Sequence, residues 1–134
     1  MMQGRVNQRC EAIVPITVRG KGKLRFVEAV VDTGFNGFLS LPADVIAALN
    51  LSWNYRDRAT LGDGSETLFD VYNAEVIWNG QYRDIEVNAA ETEPLLGMRM
   101  LRGYRLQVDT IESGLVKIEI LPTDEGTSEL TIPA

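Results

Sequence analysis

The sequence has no histidine and a single cysteine, Cys10. The first absence excludes Ser-His-Asp and Cys-His hydrolases as well as His-ligated zinc, because each needs an imidazole as base or ligand. An enzyme built from this chain works with carboxylates, Lys, Tyr or backbone groups, and neither a metal nor an organic cofactor is expected. One thiol cannot form an intramolecular disulfide, so a disulfide scaffold is not indicated. Cys10 itself reads as a small buried apolar residue. Basic charge is scarce too: 13 Lys and Arg stand against 19 Asp and Glu, a net charge of −6. The cations are scattered, so the face needed to displace phosphate counterions is missing and nucleic acid is not an expected partner. No stretch approaches ~18 consecutive apolar residues, and Met1 to Arg9 lacks the apolar centre of a signal peptide. The expectation is a soluble, cytoplasmic protein with no membrane association.

What is present suits one domain. A chain of 134 residues buries roughly 65–70% of its unfolded surface, enough for a core, expected over about residues 10–121 with an acidic tail over 122–134. From Cys10 the pattern alternates, with Ala12, Val14, Ile16 and Val18 on one face, which predicts a half-buried strand; Pro15 points to a sheet edge. A Gly20-Lys21-Gly22-Lys23 turn leads to a second strand, Leu24 to Val31, apolar on both faces at Ala29-Val30-Val31. A short strand, Phe38 to Leu41, precedes a two-turn helix from Pro42 to Leu49, which Asn50 caps.

The strand from Tyr55 reaches Gly62-Asp63-Gly64 and returns through Ser65 to Trp78 as a projecting hairpin. The return arm changes phase near Tyr72, which predicts a bulge or a change of sheet. Asn79-Gly80 is the strongest hairpin signal, joining that arm to the alternating strand Gln81 to Ala89. A short helical turn, Met98 to Arg102, ends at Gly103, and the strands Tyr104 to Val108 and Leu115 to Leu121 follow. The tail is thin until Leu130-Thr131-Ile132. Trp53 and Trp78 read as partly buried packing, Met98 and Met100 as core filler, and Asp109 as a solvated loop acid.

The sharpest chemical feature is Asp32, an acid at the end of a buried strand, entering a loop with glycines at 34 and 37. A carboxylate there is costly unless donors satisfy it, and the Thr33 hydroxyl and Gly34 amide can do so. An Asp-Thr-Gly turn alone is commonplace. Its context is not: Val30-Val31-Asp32-Thr33-Gly34 is followed by the hairpin turn Leu61-Gly62-Asp63-Gly64-Ser65 and then by Leu95-Leu96-Gly97 before a short helix.

In the order and spacing of these parts the chain resembles the retropepsin-like aspartic peptidases, over about Cys10 to Val108. The resemblance implies a mainly β fold, a closed acid-protease-like β-barrel of a single lobe with one or two short helices. It implies that Asp32 is the catalytic acid, that Thr33 locks two such loops across a dimer axis, and that Gly34 admits substrate backbone closely. It further implies that Phe35 and Asn36, with Gly62, Asp63 and Gly64 of the flap, bind substrate, and that Leu95, Leu96 and Gly97 pack beside the acid loop. The implied activity is that of an aspartic endopeptidase acting as a homodimer on protein or peptide substrates, with no metal. Asn36 departs from the acid that retroviral enzymes carry there, Phe35 replaces a small residue, and the terminal segments do not match retroviral interface strands. Two other readings compete: a non-catalytic retropepsin-like module for peptide binding or dimerisation, and an unrelated small β-barrel in which the triplet is only a turn.

Overall fold

A computed structural model of the protein describes residues 1–122, so the tail expected beyond them, with Leu130-Thr131-Ile132, lies outside the described residues. The elements follow in the order β1 (Met2–Val6), β2 (Ala12–Arg19), β3 (Leu24–Val31), β4 (Leu39–Leu41), α1 (Ala43–Ala48), β5 (Ser52–Thr60), β6 (Glu66–Trp78), β7 (Gln81–Ala89), β8 (Leu95–Leu96), α2 (Met98–Leu101), β9 (Tyr104–Val108) and β10 (Leu115–Ile120). All the strands join one sheet in the order β5-β6-β7-β4-β8-β3-β2-β1-β10-β9, and β6 also pairs with β2. That extra pairing closes the run from β2 through β3, β8, β4 and β7 to β6 into a ring. The chain is thus mainly β, with a closed barrel and two short helices, as the sequence led one to expect.

The barrel is built from alternating strands. Val14, Ile16 and Val18 of β2 are buried, and their strand runs antiparallel to β3 from Ile13↔Val30 to Arg19↔Leu24. Ala29 and Val30 are buried at consecutive positions because this end of β3 lies between β2 and β8. α1 ends as a Schellman motif: the Asn50 amide donates to Ala47 and the Leu51 amide to Ile46, with Asn50 at φ +50°. Asn79 and Gly80 both adopt positive φ, 52° and 84°, between Trp78 and its partner Gln81, the two-residue turn that matches strand twist. The centre holds Ile16, Leu39, Leu41, Leu49, Val76, Val87, Leu96 and Met100, all fully buried. Each contributes on the order of 1.5–3 kcal/mol of apolar transfer free energy.

Several expectations are corrected. Pro15 is not on an edge strand, since β2 pairs with β3 along Ile13 to Arg19 and with β1 and β6 on its other side. Those other contacts stop at Ile13 and resume at Thr17, so Pro15 sits in the gap where an N–H is not called for. The irregularity expected near Tyr72 is present: on one edge of β6 the partner changes from β5, up to Asn73, to β2, from Glu75, and β5 bulges between Trp53 and Tyr55, opposite Tyr72. Cys10 is exposed, held at φ +62° in a turn whose amide donates to the Asn7 carbonyl. Trp53 is 58% and Met98 46% exposed. β1 was not among the expected strands because its inward face, Met2, Gly4 and Val6, has a glycine at its centre and so shows little apolar alternation against the outward Gln3 and Arg5. Gly4 permits it, as a side chain there would collide with the Ile13 carbonyl.

Candidate active site

β3 ends at Val31, and Asp32 is the first residue to leave the sheet. Its amide donates to the Leu96 carbonyl at 2.9 Å, which prolongs the parallel β3–β8 ladder by one step. Its carbonyl accepts the Phe35 amide at 3.1 Å, closing a tight turn, and its carboxylate Oδ1 accepts the Gly34 amide at 2.9 Å. The loop's own backbone therefore holds the acid. A Cβ at Gly34 would stand 3.2 Å from that same oxygen, tight enough to disturb it. Asp32 is half-buried, whereas Thr33, Gly34 and Asn36 are exposed at the rim.

The second segment reaches this loop because β8 threads between β3 and β4. It runs parallel to β3, pairing Val30↔Leu95 and Val31↔Leu96, and antiparallel to β4, pairing Leu39↔Leu96 and Ser40↔Leu95. Beyond it, the Gly97 amide donates to Phe38, Met98 to Phe35 and Arg99 to Gly37, at 3.0, 2.8 and 3.1 Å. Three consecutive amides thus grip the carbonyls of the Asp32 loop. Gly97 has no substitute here: a Cβ would strike the Gly37 carbonyl oxygen and lie 2.7 Å from Phe35 Cδ2. Phe35 turns its ring against Gly37 and Gly97 and supports the loop from beneath. Leu96 and Gly97 are buried and Leu95 half-buried.

Gly62, Asp63 and Gly64 form the tip of the β5–β6 hairpin, where the Leu61 amide donates to Ser65 at 2.7 Å and Gly64 adopts φ +87°. Asp63 Oδ1 accepts both the Ser65 hydroxyl, at 2.6 Å, and its amide, at 2.9 Å. Those bonds, the hydroxyl first, hold its carboxyl below the usual aspartate range. The hairpin is exposed from Ser52 to Leu68. Within the chain the tip makes no described hydrogen bond to the Asp32 loop. Its arms are steadied nearer the base: Tyr55 Oη donates to Glu86 at 3.0 Å, while Trp53 Nε1 and Arg56 Nε both donate to Asp70 at 3.1 Å. The Trp53 indole, then Arg56, pull the Asp70 carboxyl down, and the bond to Glu86 pushes the Tyr55 hydroxyl up.

Two residues near the loop escaped the sequence reading. Ser40, buried in β4, accepts the Leu95 amide on its Oγ at 3.2 Å and so fixes β8; a hydroxyl between two leucines was the signal. Arg99 lines a groove of about 790 Å³ with Phe38, Ile85 and Glu86, and a second of about 650 Å³ with Thr33 and Asn36. A cation two residues after Gly97 could have been found. Among the described residues no group of three or more His, Cys, Asp or Glu side chains is placed to hold a metal, and no helix is long and apolar enough to cross a membrane.

A closed single-lobe barrel, with an acid-bearing loop clasped by a hydrophobic-Gly segment, defines the acid-protease class of fold. The crystal structure of a retropepsin-like aspartic protease from Rickettsia conorii matches it with a TM-score of 0.57, at 17% identity, over 91% of this chain and 91% of that one. The fold is retropepsin-like. No protein-family profile matches the sequence, and no curated protein matches it.

Proposed function

We propose that the chain is an aspartic endopeptidase acting as a homodimer in which each copy supplies one Asp32. The observation that carries this reading is the placement of Asp32 in a retropepsin-like fold, its carboxylate fixed by the Gly34 amide and its backbone by Leu96. The chain has one Asp-Thr-Gly triplet, so a pair of acids requires a second copy, and a twofold axis brings identical loops together. In this reading the exposed Thr33 bridges them.

Two carboxylates about 3 Å apart do not both ionise readily, so the pair shares one proton. The charged member takes a proton from a bound water, whose oxygen attacks the scissile carbonyl carbon while the protonated member donates to the carbonyl oxygen. The tetrahedral diol then collapses: the C–N bond breaks as the amine nitrogen takes up the proton held by the pair, and one diol hydroxyl returns its proton to the pair, restoring the shared-proton state. Gly62, Asp63 and Gly64 close over the substrate, which lies as an added strand beneath the hairpin. Asn36 meets substrate backbone at the rim, Phe35 fixes the loop, and Phe38 and Ile85 offer apolar contacts to substrate side chains in a groove that also carries Arg19, Glu75, Glu86 and Arg99. Incubating a proteome-derived peptide mixture with wild type and with Asp32→Asn tests the reading: only the wild type should generate new termini, and those should lie between apolar residues.

A further inference from the structure

We propose that Arg99 is a specificity-determining residue, its guanidinium pairing with an Asp or Glu side chain of the substrate at a position outside the two residues that flank the cut. This rests on the peptidase proposed above and adds a substrate class: extended peptides that carry an acidic residue beyond an apolar cleavage site. The Arg99 amide is committed to the Gly37 carbonyl at 3.1 Å, so the backbone fixes where the side chain starts. That side chain is exposed and makes no hydrogen bond or ion pair among the described residues. Arginines close by are engaged: Arg19 gives two bonds to Glu75 and stacks 4.1 Å from the Tyr82 ring centroid, and Arg83 donates to the Met100 carbonyl at 3.2 Å. A guanidinium offers five donors in a planar fork that matches a carboxylate, and at Arg99 the fork is free.

Position brings the substrate to it. Arg99 lines both grooves beside the loop, the one of about 650 Å³ with Thr33 and Asn36 and the one of about 790 Å³ with Phe38 and Ile85, and no other residue lines both. A peptide whose backbone meets Asn36 and whose side chains rest on Phe38 and Ile85 therefore passes Arg99. The cation also faces the base of the hairpin. There the bond to Glu86 pushes the Tyr55 hydroxyl up, and the Arg99 charge draws it back.

Charge then selects the class of side chain. The groove that holds Asn36 carries Arg99 and Arg102 and no acidic residue. In the larger groove the acids are placed elsewhere: Glu75 takes the two bonds from Arg19, Glu86 takes the Tyr55 hydroxyl, and Asp84 lies opposite Glu75 on the neighbouring strand. A basic side chain passing Arg99 is repelled and an apolar one gains nothing from it, whereas a carboxylate completes a charge-assisted pair. A twofold dimer carries two such arginines, so the acidic preference should appear at equal distances on both sides of the cut.

Residue frequencies around the new termini of a proteome-derived digest test this, followed by steady-state kinetics on one peptide made with Glu or Gln at the enriched position. Wild type should cut the Glu peptide with kcat/KM about three- to tenfold higher at low salt, through KM rather than kcat, and the ratio should shrink at high salt. Arg99→Gln should bring the ratio to about one, Arg99→Glu should turn it below one, and Arg99→Lys should keep part of it. Each ratio compares two peptides on one enzyme, so a smaller folded fraction does not mimic the effect. A wild type with no acidic enrichment, a ratio unmoved by the Arg99 variants, or one abolished by Arg102→Gln instead would overturn the role of Arg99 and leave the peptidase standing. A wild type that cuts no peptide would overturn both.

Discussion

The Asp32 amide and the Leu96 carbonyl meet at 2.9 Å, so the strand that delivers the acid and the segment that clasps it form one ladder. Residues 33–95 lie between them in the chain, and the Gly97, Met98 and Arg99 amides complete the grip. The position of the carboxylate therefore depends on packing behind the loop as much as on the loop itself.

Gly97→Ala should show this. The new methyl group meets the Gly37 carbonyl and the Phe35 ring, and overpacking of this kind costs about 1–3 kcal/mol. Denaturant unfolding should reveal the loss, and turnover should fall further than the unfolded fraction explains because the Asp32 loop is displaced. A variant as stable and active as wild type would show that the clasp is not needed.

Leu96→Ala probes the same contact from the core. Leu96 is fully buried at the crossing of β3, β8 and β4, and a leucine-to-alanine cavity costs roughly 2–5 kcal/mol. Unfolding midpoints measured in urea check the figure, and a loss under 1 kcal/mol would mean that the site collapses to fill the gap.

The hairpin arms should loosen in acid. The Asp63 and Asp70 carboxyls are held below the ordinary aspartate value of 3.8, Asp63 by the Ser65 hydroxyl and amide, Asp70 by the Trp53 indole and Arg56. A depressed folded-state value contributes stability that is present above the unfolded value and lost as pH falls through the folded one. Amide exchange in β5 and β6, corrected for its intrinsic pH dependence, should be steady at mildly acidic pH and should accelerate relative to the barrel strands only below pH 3.8. Acceleration between pH 5 and 7 would assign the anchoring to other groups.

On the proposed mechanism activity should follow a bell-shaped pH profile with its optimum on the acid side of neutrality, because a pair of acids of that kind works only while it shares one proton. Initial rates on one peptide between pH 3 and 9 measure it, and a steady rise to pH 9 would contradict the shared-proton mechanism.

Much of this architecture is legible in the residues. The alternation of Val14, Ile16 and Val18, the doubly apolar end of β3, and the Asn79-Gly80 turn each correspond to an observed element, since each is set by local sterics or by a single buried face. The acid loop and the Leu95-Leu96-Gly97 segment stood out as separate motifs, and their order pointed to the same fold. What stayed hidden depends on contacts distant in sequence. β1 exists because β10 and β2 flank it, and Pro15 is tolerated within a covered strand only because two partners leave a gap there. Cys10, Trp53 and Met98 are exposed although their residue types favour burial, because a turn, a projecting hairpin and a groove rim place them outside the core.

The most direct measurement compares cleavage of one peptide mixture by purified wild type and Asp32→Asn at equal concentration near the acidic optimum. The amide is nearly isosteric with the acid and can still accept the Gly34 N–H at 2.9 Å, so the variant should fold and sediment as wild type does. Having lost the proton-sharing acid, it should release no new termini, and added in excess it should silence wild type through mixed dimers. Equal turnover by the two proteins would contradict the assignment of Asp32 as the catalytic acid.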